Sequence, residues 1–354
     1  MAHDSYARLM AWSRSGGWLS LPVRASAVAV AVAMVAAGCA QHLDRQSGGS
    51  GVAPEPTAPT PNSVSRPIYR PVPGAISLAE LHGKLATTPR SGQLVVVAIP
   101  ATHGAFLHRW EMVYLPPVWF GSGGHHPALP VIEMIAGTHG GPVSWVRRGQ
   151  AIQTANAYAA AHHGWAPILA FVDANGLGTS DSECVNGPHG LAENHLALDV
   201  PAYIEQTFGA STNPAQWGVL GLSMGGTCAI DLTIEHADVF RHFADLAGDI
   251  GPNIGDKAQT IQTLYGGSVA AWNAHDPLTV LSRTARFPAG MSGWFGVGDK
   301  DSAHVSPARI LAAATARDGI KTWLAIGIGG HDWGYGTAAF RQTLPWLAQQ
   351  LIHA

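Results

Sequence analysis

A serine stands between glycines in the stretch G-L-S-M-G, residues 221–225, where its hydroxyl could act as a nucleophile. The apolar run W-G-V-L-G-L leads into it and M-G-G-T-C-A-I-D-L follows, so the pattern predicts a strand, a sharp turn at Ser223 and a helix. Glycines two positions before and after the serine remove side chains that would collide in such a turn. The alternative interpretation is a plain glycine-rich turn, because G-x-S-x-G also occurs by chance.

A serine hydroxyl is a weak nucleophile unless a base takes its proton, and a third group must orient that base. His331 lies in the glycine-rich stretch G-I-G-G-H-D-W, directly after the last apolar run, where a loop can deliver it to Ser223. The preceding run ends in G-V-G-D-K-D, which offers two acids, Asp299 and Asp301. We favour Asp301, because the strand is expected to continue through Val297.

Attack on a carbonyl group creates an oxyanion that needs two hydrogen-bond donors. One predicted donor is the backbone N–H of Met224, the residue after the serine. The other should come from G-T-H-G-G, the loop after the apolar run at 131–136. We choose Thr138, the first residue beyond the glycine that ends that strand. Gly140, within H-G-G, is the alternative.

Short apolar runs alternating with helix-like segments must position these residues. Runs that are apolar throughout indicate strands covered on both faces. An antiparallel pair at the start, followed by β-α repeats, predicts an α/β fold with a mixed, mostly parallel central sheet and helices on both faces. Predicted strands cover 93–99, 111–115, 131–136, 167–172, 217–222, 242–247, 293–298 and 322–327, and predicted helices cover 196–208, 305–315 and 336–352.

Composition restricts the class of partner. The chain has 354 residues, of which 47% are apolar, enough for a large core. Charged residues make up 12% and the net charge is −3, against about 25% charged residues in an average soluble domain. With no block of lysine and arginine, a nucleic-acid partner is excluded.

The first 39 residues have the pattern of an export signal. Arg14 and Arg24 precede an apolar stretch that ends in small residues at V-A-A-G-C. This stretch is too short to cross a bilayer as a helix, which needs about 20 residues. V-A-A-G-C also resembles a bacterial lipobox, in which Cys39 carries the lipid. Plain secretion and an uncleaved anchor are the alternatives, and all three place the protein outside the cytoplasm, in the cell envelope or secreted.

Residues 40–73 are rich in serine, glycine and proline and predict a disordered linker. Residues 74–354 then form one domain. Apart from Cys39 the chain holds two cysteines, Cys184 and Cys228. In an oxidising compartment this even number suggests a disulfide, whereas two separate buried thiols are the alternative.

The domain resembles the esterase-D and mycolyltransferase branch of the α/β-hydrolases, and exported bacterial esterases within it. The stretches that carry the resemblance are V-Y-L-P-P (113–117), I-A-G-T-H-G-G-P-V-S-W (135–145), F-V-D-A-N-G (171–176), D-S-E-C-V-N-G-P (181–188), D-V-P-A-Y-I (199–204), G-L-S-M-G-G-T-C (221–228) and G-G-H-D-W (329–333).

This resemblance implies the catalytic order Ser223, Asp301, His331, and hydrolysis or transfer of an ester-linked acyl group without metal or organic cofactor. It also implies that Cys184 pairs with Cys228. Mycolyltransferases use a glutamate as the third catalytic residue, whereas this chain has an aspartate, which favours the hydrolase.

Three functions are therefore compared. The first is an exported serine esterase acting on a small-molecule or lipid ester, attached to the membrane through its lipid anchor or signal segment. The second is an acyltransferase that passes the acyl group to a sugar hydroxyl in the envelope. The third is a non-catalytic envelope binding protein, which would not need Ser223 or His331. We expect Trp333 to wall an apolar acyl pocket whose shape depends on residues 249–290, and the histidine pairs at 125–126 and 162–163 to bind no metal.

Overall fold

The apolar runs of the sequence form a central sheet. Its strands are β1 (Ala75–Ser77), β2 (Gln93–Val97), β3 (Glu111–Leu115), β4 (Val131–Ile135), β5 (Ile168–Val172), β8 (Trp217–Leu222), β9 (His242–Leu246), β10 (Ser292–Gly298) and β11 (Lys321–Gly327), while β6 (Asn186–Gly187) and β7 (Gly190–Leu191) form a separate hairpin. This computed structural model describes residues 72–84, 88–121, 126–177 and 181–352. The predicted export signal, Cys39 and all but the last two residues of the predicted linker lie outside them.

The order of strands across the sheet is β1-β2-β3-β5-β4-β8-β9-β10-β11. Strand β3 pairs antiparallel with both β2 and β5, and the other neighbours are parallel. The predicted mixed, mainly parallel sheet with an antiparallel start is confirmed. Strands β4 and β8 are adjacent, so the loops that follow them meet at one edge of the sheet.

Helices pack on both faces of the sheet, and every residue of β3, β4, β5, β8 and β9 is consequently buried. Helix α3 contacts α11, and helix α9 contacts α6 and α10. The helices are α1 (Leu78–Lys84), α2 (Val143–Arg147), α3 (Ala151–Ala161), α4 (Ala192–Asn194), α5 (Val200–Phe208), α6 (Met224–Glu235), α7 (Lys257–Tyr265), α8 (Val269–His275), α9 (Pro277–Arg283), α10 (Ser302–Arg317) and α11 (Trp333–Ile352), with a π-helical turn at His195–Asp199 and 3₁₀ turns at Pro117–Phe120 and Pro214–Gln216.

The structure differs from the sequence prediction mainly in its short elements. The prediction did not include strands β1, β6 and β7 or helices α1, α2, α3, α4, α7, α8 and α9, whereas all eight predicted strands form, with ends within two residues of their expected positions. No helix within the described residues is long and apolar enough to span a bilayer.

Candidate active site

Ser223 occupies the sharp turn between β8 and α6 that its glycines predicted. Its backbone has φ 61° and ψ −128°, a strained conformation for a residue with a side chain. A Cβ atom on Gly221 would run into the backbone of Gly225, and one on Gly225 would run into the carbonyl group of Ile135. Only glycine permits this close crossing, so the two glycines hold the serine at the end of the strand.

His331 links Ser223 to Asp301 through two short hydrogen bonds. The Ser223 hydroxyl donates to Nε2 of His331 over 2.8 Å, and Nδ1 of His331 donates to Oδ2 of Asp301 over 2.7 Å. The other acid considered, Asp299, instead accepts a hydrogen bond from the N–H of Gly329 at 3.1 Å. Geometry thus selects Asp301, and β10 does continue through Val297.

His304, which the sequence analysis did not single out, is a second partner of Asp301. Its Nδ1 donates to Oδ1 of Asp301 over 2.7 Å, and its ring stacks on that of His331 with centroids 4.2 Å apart. Burial would raise the pKa of Asp301, but the hydrogen bonds from His304 and His331 outweigh it and lower the pKa. Asp301 therefore stays ionised. The sequence signal that could have identified His304 is its position, three residues after the candidate acid Asp301 and at the start of a predicted helix.

Two backbone N–H groups near Ser223, those of Met224 and Thr138, are the candidate donors to an oxyanion. Within the described residues, neither Met224 nor Thr138 uses its N–H in a hydrogen bond. The alternative donor, the N–H of Gly140, is engaged by the carbonyl oxygen of Gly137 at 2.8 Å. Gly137 itself lies so near Ser223 that an added Cβ would approach the serine side chain to 3.0 Å. Met224 also begins α6, whose positive end favours an anion at this position.

A cavity of about 580 Å³ opens beside Ser223 and His331. Trp333 lines it, as predicted, and the two arginines at the end of α2, Arg147 and Arg148, line it as well. The lining residues come from three places. These are the loop 137–140 together with α2, the turn at 222–223, and the histidine loop, residues 328–332, with the start of α11. The prediction that residues 249–290 shape this cavity is wrong, because none of them lines it.

Comparison with known proteins gives the family. A family model described as "Putative esterase" matches residues 109–349. The chain belongs to this esterase family. An uncharacterized protein from Corynebacterium glutamicum is 30% identical over 298 residues, which are 80% of this chain and 69% of that protein. The esterase assignment makes the chain a carboxylic ester hydrolase.

Solved structures show the α/β-hydrolase fold of the esterase. An S-formylglutathione hydrolase from Agrobacterium tumefaciens superposes with a TM-score of 0.61 at 19% identity, covering 75% of this chain and 98% of that one. A ferulic acid esterase superposes with a TM-score of 0.59 at 18% identity, covering 74% of this chain and 99% of that one. The predicted resemblance to the esterase-D and mycolyltransferase branch is confirmed.

In the esterase, Cys184 and Cys228 form a disulfide with an S–S distance of 2.05 Å. Cys228 lies on α6, so the bond fastens the loop before the small hairpin to the helix that begins beside Ser223. Of the histidines considered as metal ligands, His126 and His162 each stack on an aromatic ring and bond a backbone carbonyl. His125 lies outside the described residues.

Proposed function

We propose that the protein is an exported serine esterase that hydrolyses carboxylic esters through Ser223, His331 and Asp301. The observation that carries this proposal is the hydrogen-bonded chain from the Ser223 hydroxyl to the Asp301 carboxylate. It lies at a strained turn, beside two unengaged N–H donors and an open cavity. A binding protein would need neither the strain nor the relay.

In the proposed reaction, Oγ of Ser223 attacks the ester carbonyl carbon while Nε2 of His331 takes its proton. The N–H groups of Met224 and Thr138 hold the oxyanion. His331 then gives the proton to the leaving alcohol, which departs and leaves an acyl group on Ser223. Water attacks the acyl-enzyme with His331 again acting as base, and the acid is released. Asp301 remains ionised and orients the imidazole throughout.

The cavity favours an ester with a polar or anionic portion over a purely aliphatic one. Arg147 and Arg148 supply two guanidinium groups. Asp332 also lines the cavity, but one of its oxygens accepts a hydrogen bond from the N–H of Tyr335 at the start of α11. Trp333 adds an apolar side chain to the cavity lining. Arginines bind carboxylate and phosphate groups in preference to neutral ones.

Hydrolysis of p-nitrophenyl esters by the purified protein tests the mechanism. The panel holds acyl chains of increasing length and one hemisuccinate ester, and Ser223→Ala is assayed beside the wild type. We expect turnover by the wild type, loss of at least about 1,000-fold in the variant, and preference for the hemisuccinate. Equal, negligible rates in both proteins would remove the esterase proposal.

An acyltransferase remains the second candidate, because an acyl-enzyme can be attacked by a sugar hydroxyl as well as by water. Product analysis with and without a sugar acceptor separates the two. An acylated sugar as the main product would favour transfer, and free acid in both reactions would favour hydrolysis.

Export and lipid attachment at Cys39 are proposed from the sequence of the first 39 residues. The disulfide supports an oxidising compartment. Cell fractionation with fatty-acid labelling, comparing wild type with Cys39→Ala, tests the attachment. We expect label in the membrane fraction for the wild type alone. An unlabelled wild type in the medium would instead indicate plain secretion.

A further inference from the structure

Two glutamates and two histidines meet outside the active site, where α4, α6 and α8 come together. This Glu/His cluster consists of Glu193, Glu235, His236 and His275. Nε2 of His236 lies 2.8 Å from Oε1 of Glu193, and Nδ1 of His275 lies 2.8 Å from Oε2 of Glu235. Nε2 of His275 lies 3.9 Å from Oε2 of Glu193. The four side chains are between 12% and 23% exposed, so the group is reachable but mostly enclosed.

Three members of the Glu/His cluster hold nitrogen and oxygen atoms close enough together to ligate one metal ion. One such atom from each of Glu193, Glu235 and His236 lies within 4.8 Å of the others. A tetrahedral zinc ion with bonds of about 2.0–2.1 Å holds neighbouring ligand atoms about 3.3 Å apart. The 2.8 Å between Nε2 of His236 and Oε1 of Glu193 is shorter than that value, because these atoms share a hydrogen bond. A bound ion would replace this hydrogen bond and move the two atoms slightly apart.

A buried acid, Asp231, lies near the cluster. Asp231 precedes Glu235 by one turn of α6 and is 5% exposed. Within the described residues both of its carboxylate oxygens lack a hydrogen bond, as does Oε1 of Glu235. Burial, and next the charge of Glu235, raise the pKa of Asp231 well above its usual range. A buried carboxyl group without a hydrogen bond costs free energy, and a cation at the cluster would offset that cost by stabilising the ionised form.

The hydroxyl of Tyr265 and the end of α6 add to the same electrostatic environment. Tyr265 stacks on His275, and its buried hydroxyl lacks a hydrogen bond within the described part of the chain. Helix α6 ends at Glu235, so its negative end also points at the cluster.

We propose that the Glu/His cluster binds one zinc ion, with Glu193, Glu235 and His236 each supplying one ligand atom and His275 holding the Glu235 carboxylate through its hydrogen bond. Imidazole nitrogens together with carboxylate oxygens suit zinc, whereas calcium and magnesium take oxygen ligands. The ion ties α4 to the end of α6, and His275 adds α8 through its hydrogen bond, so that the segment 257–283 is held against the sheet domain. The site is structural and does not depend on the chemistry of Ser223.

Zinc retention by the purified protein tests the proposal. Protein treated with EDTA receives a small excess of zinc and passes through gel filtration, and its metal content is then measured by mass spectrometry. We expect about one zinc per chain in the wild type and in Ser223→Ala. Glu235→Gln and His275→Gln should lose the metal, and calorimetry should show affinity at least about 100-fold weaker. His162→Gln, which alters an exposed histidine stacked on Tyr158, is the matched control and should behave as wild type.

A wild type that retains no zinc would overturn the proposal, as would equal retention in Glu235→Gln. Zinc lost from His162→Gln as readily as from His275→Gln would mean adventitious binding by surface histidines, which also overturns it. Cobalt substitution of the wild type covers the case in which a variant fails to fold. Intense visible absorption from tetrahedral cobalt supports the proposal, and only the weak spectrum of octahedral cobalt contradicts it.

Discussion

The candidate active site and the Glu/His cluster both gather titratable side chains, but the chain supplies them differently. Ser223, Asp301 and His331 follow the carboxyl ends of three strands, β8, β10 and β11. These ends meet at one edge of the sheet, where open α/β folds bind ligands. The residues of the cluster lie instead on or beside three helices, and tertiary packing alone brings them together.

The two regions also differ in their physical properties. The active site combines strain, a positive helix end and unengaged donors, which are properties suited to a reaction. The Glu/His cluster combines burial with hydrogen-bonded pairs of glutamate and histidine and with the nearby buried carboxyl group of Asp231, which are properties suited to holding a cation. Substitutions in the first region should change turnover, and substitutions in the second should change stability or metal content.

The largest expected effect separates the two acids near His331. Asp301→Asn removes the negative charge that supports the imidazolium form of His331, and kcat should fall about 10,000-fold. Asp299→Asn is the matched control, because Asp299 only accepts a bond from the Gly329 N–H, and kcat should change less than about 10-fold. Steady-state kinetics of both variants on one p-nitrophenyl ester provide the measurement. Equal losses would mean that the histidine loop, rather than the Asp301 charge, limits the reaction.

The next effect concerns the disulfide, which fastens the segment before the cluster to α6. Replacing both Cys184 and Cys228 with alanine opens a loop of sequence separation 44, which predicts a loss of about 4 kcal/mol from the free energy of unfolding. Urea denaturation measures this loss. Because neither cysteine lines the cavity, kcat below the unfolding transition should stay near wild type. A fall in kcat with unchanged stability would assign the bond to positioning α6 instead.

The free energy of unfolding should depend on pH in opposite ways through the histidine of the sheet, His242, and through the two histidines of the cluster. Burial, more than the charge of Arg241, lowers the pKa of His242 on β9 from 6.5 to about 4 despite its bond to the Ala215 carbonyl. The unfolded chain binds this proton more tightly, so stability is full above pH 6.5 and falls by at most about 3 kcal/mol as pH drops through 4.

Burial would lower the pKa of His236 and His275, but their glutamate partners raise it. The stability that these two histidines contribute is therefore full below pH 6.5, and it is lost as the pH rises through their raised pKa values. Urea denaturation of metal-free protein from about pH 4.5 to 8 should show a flatter acidic limb in His242→Gln and a flatter limb above 6.5 in His275→Gln. Parallel curves for all three proteins would contradict both assignments.

Most of the sheet could be predicted because its strands are buried on both faces and read as continuous apolar runs. Helices α7, α8 and α9 could not, since they are short and only partly buried. Their caps were nevertheless present in the sequence: Asp256, Ser268 and Asp276 each accept a bond from a backbone N–H in the first turn. A single cap does not define a helix without an apolar stripe beside it.

The residues of the active site could be predicted because glycines and strand ends fix where they lie. The sequence favoured Asp301 over Asp299 as the acid that reaches His331, but it did not decide between them. The choice depends on where strand β10 ends. Nothing comparable indicates Glu193 or His275, because neither follows the end of a predicted strand. Residues brought together only by the packing of helices leave no local pattern for the sequence to display.

The smallest effect concerns His304, which connects Asp301 to the stack of imidazoles. His304→Ala removes the bond to Oδ1 of Asp301. That bond helps to lower the pKa of Asp301, so its loss should raise the pKa and move the acidic limb of kcat/KM to higher pH. Freed on one side, the carboxylate should also orient His331 less well, and kcat should fall about 10-fold.

His304→Gln distinguishes this positioning role from simple packing. Its amide can still donate to Asp301, so most of the rate and the original acidic limb should return. The pH profiles of kcat/KM for the wild type and both variants make the comparison. Identical profiles in His304→Ala and the wild type would show that Asp301 needs only His331 to stay ionised. A rate that falls equally in both variants, with no shift of the limb, would assign His304 to filling space beneath the His331 ring.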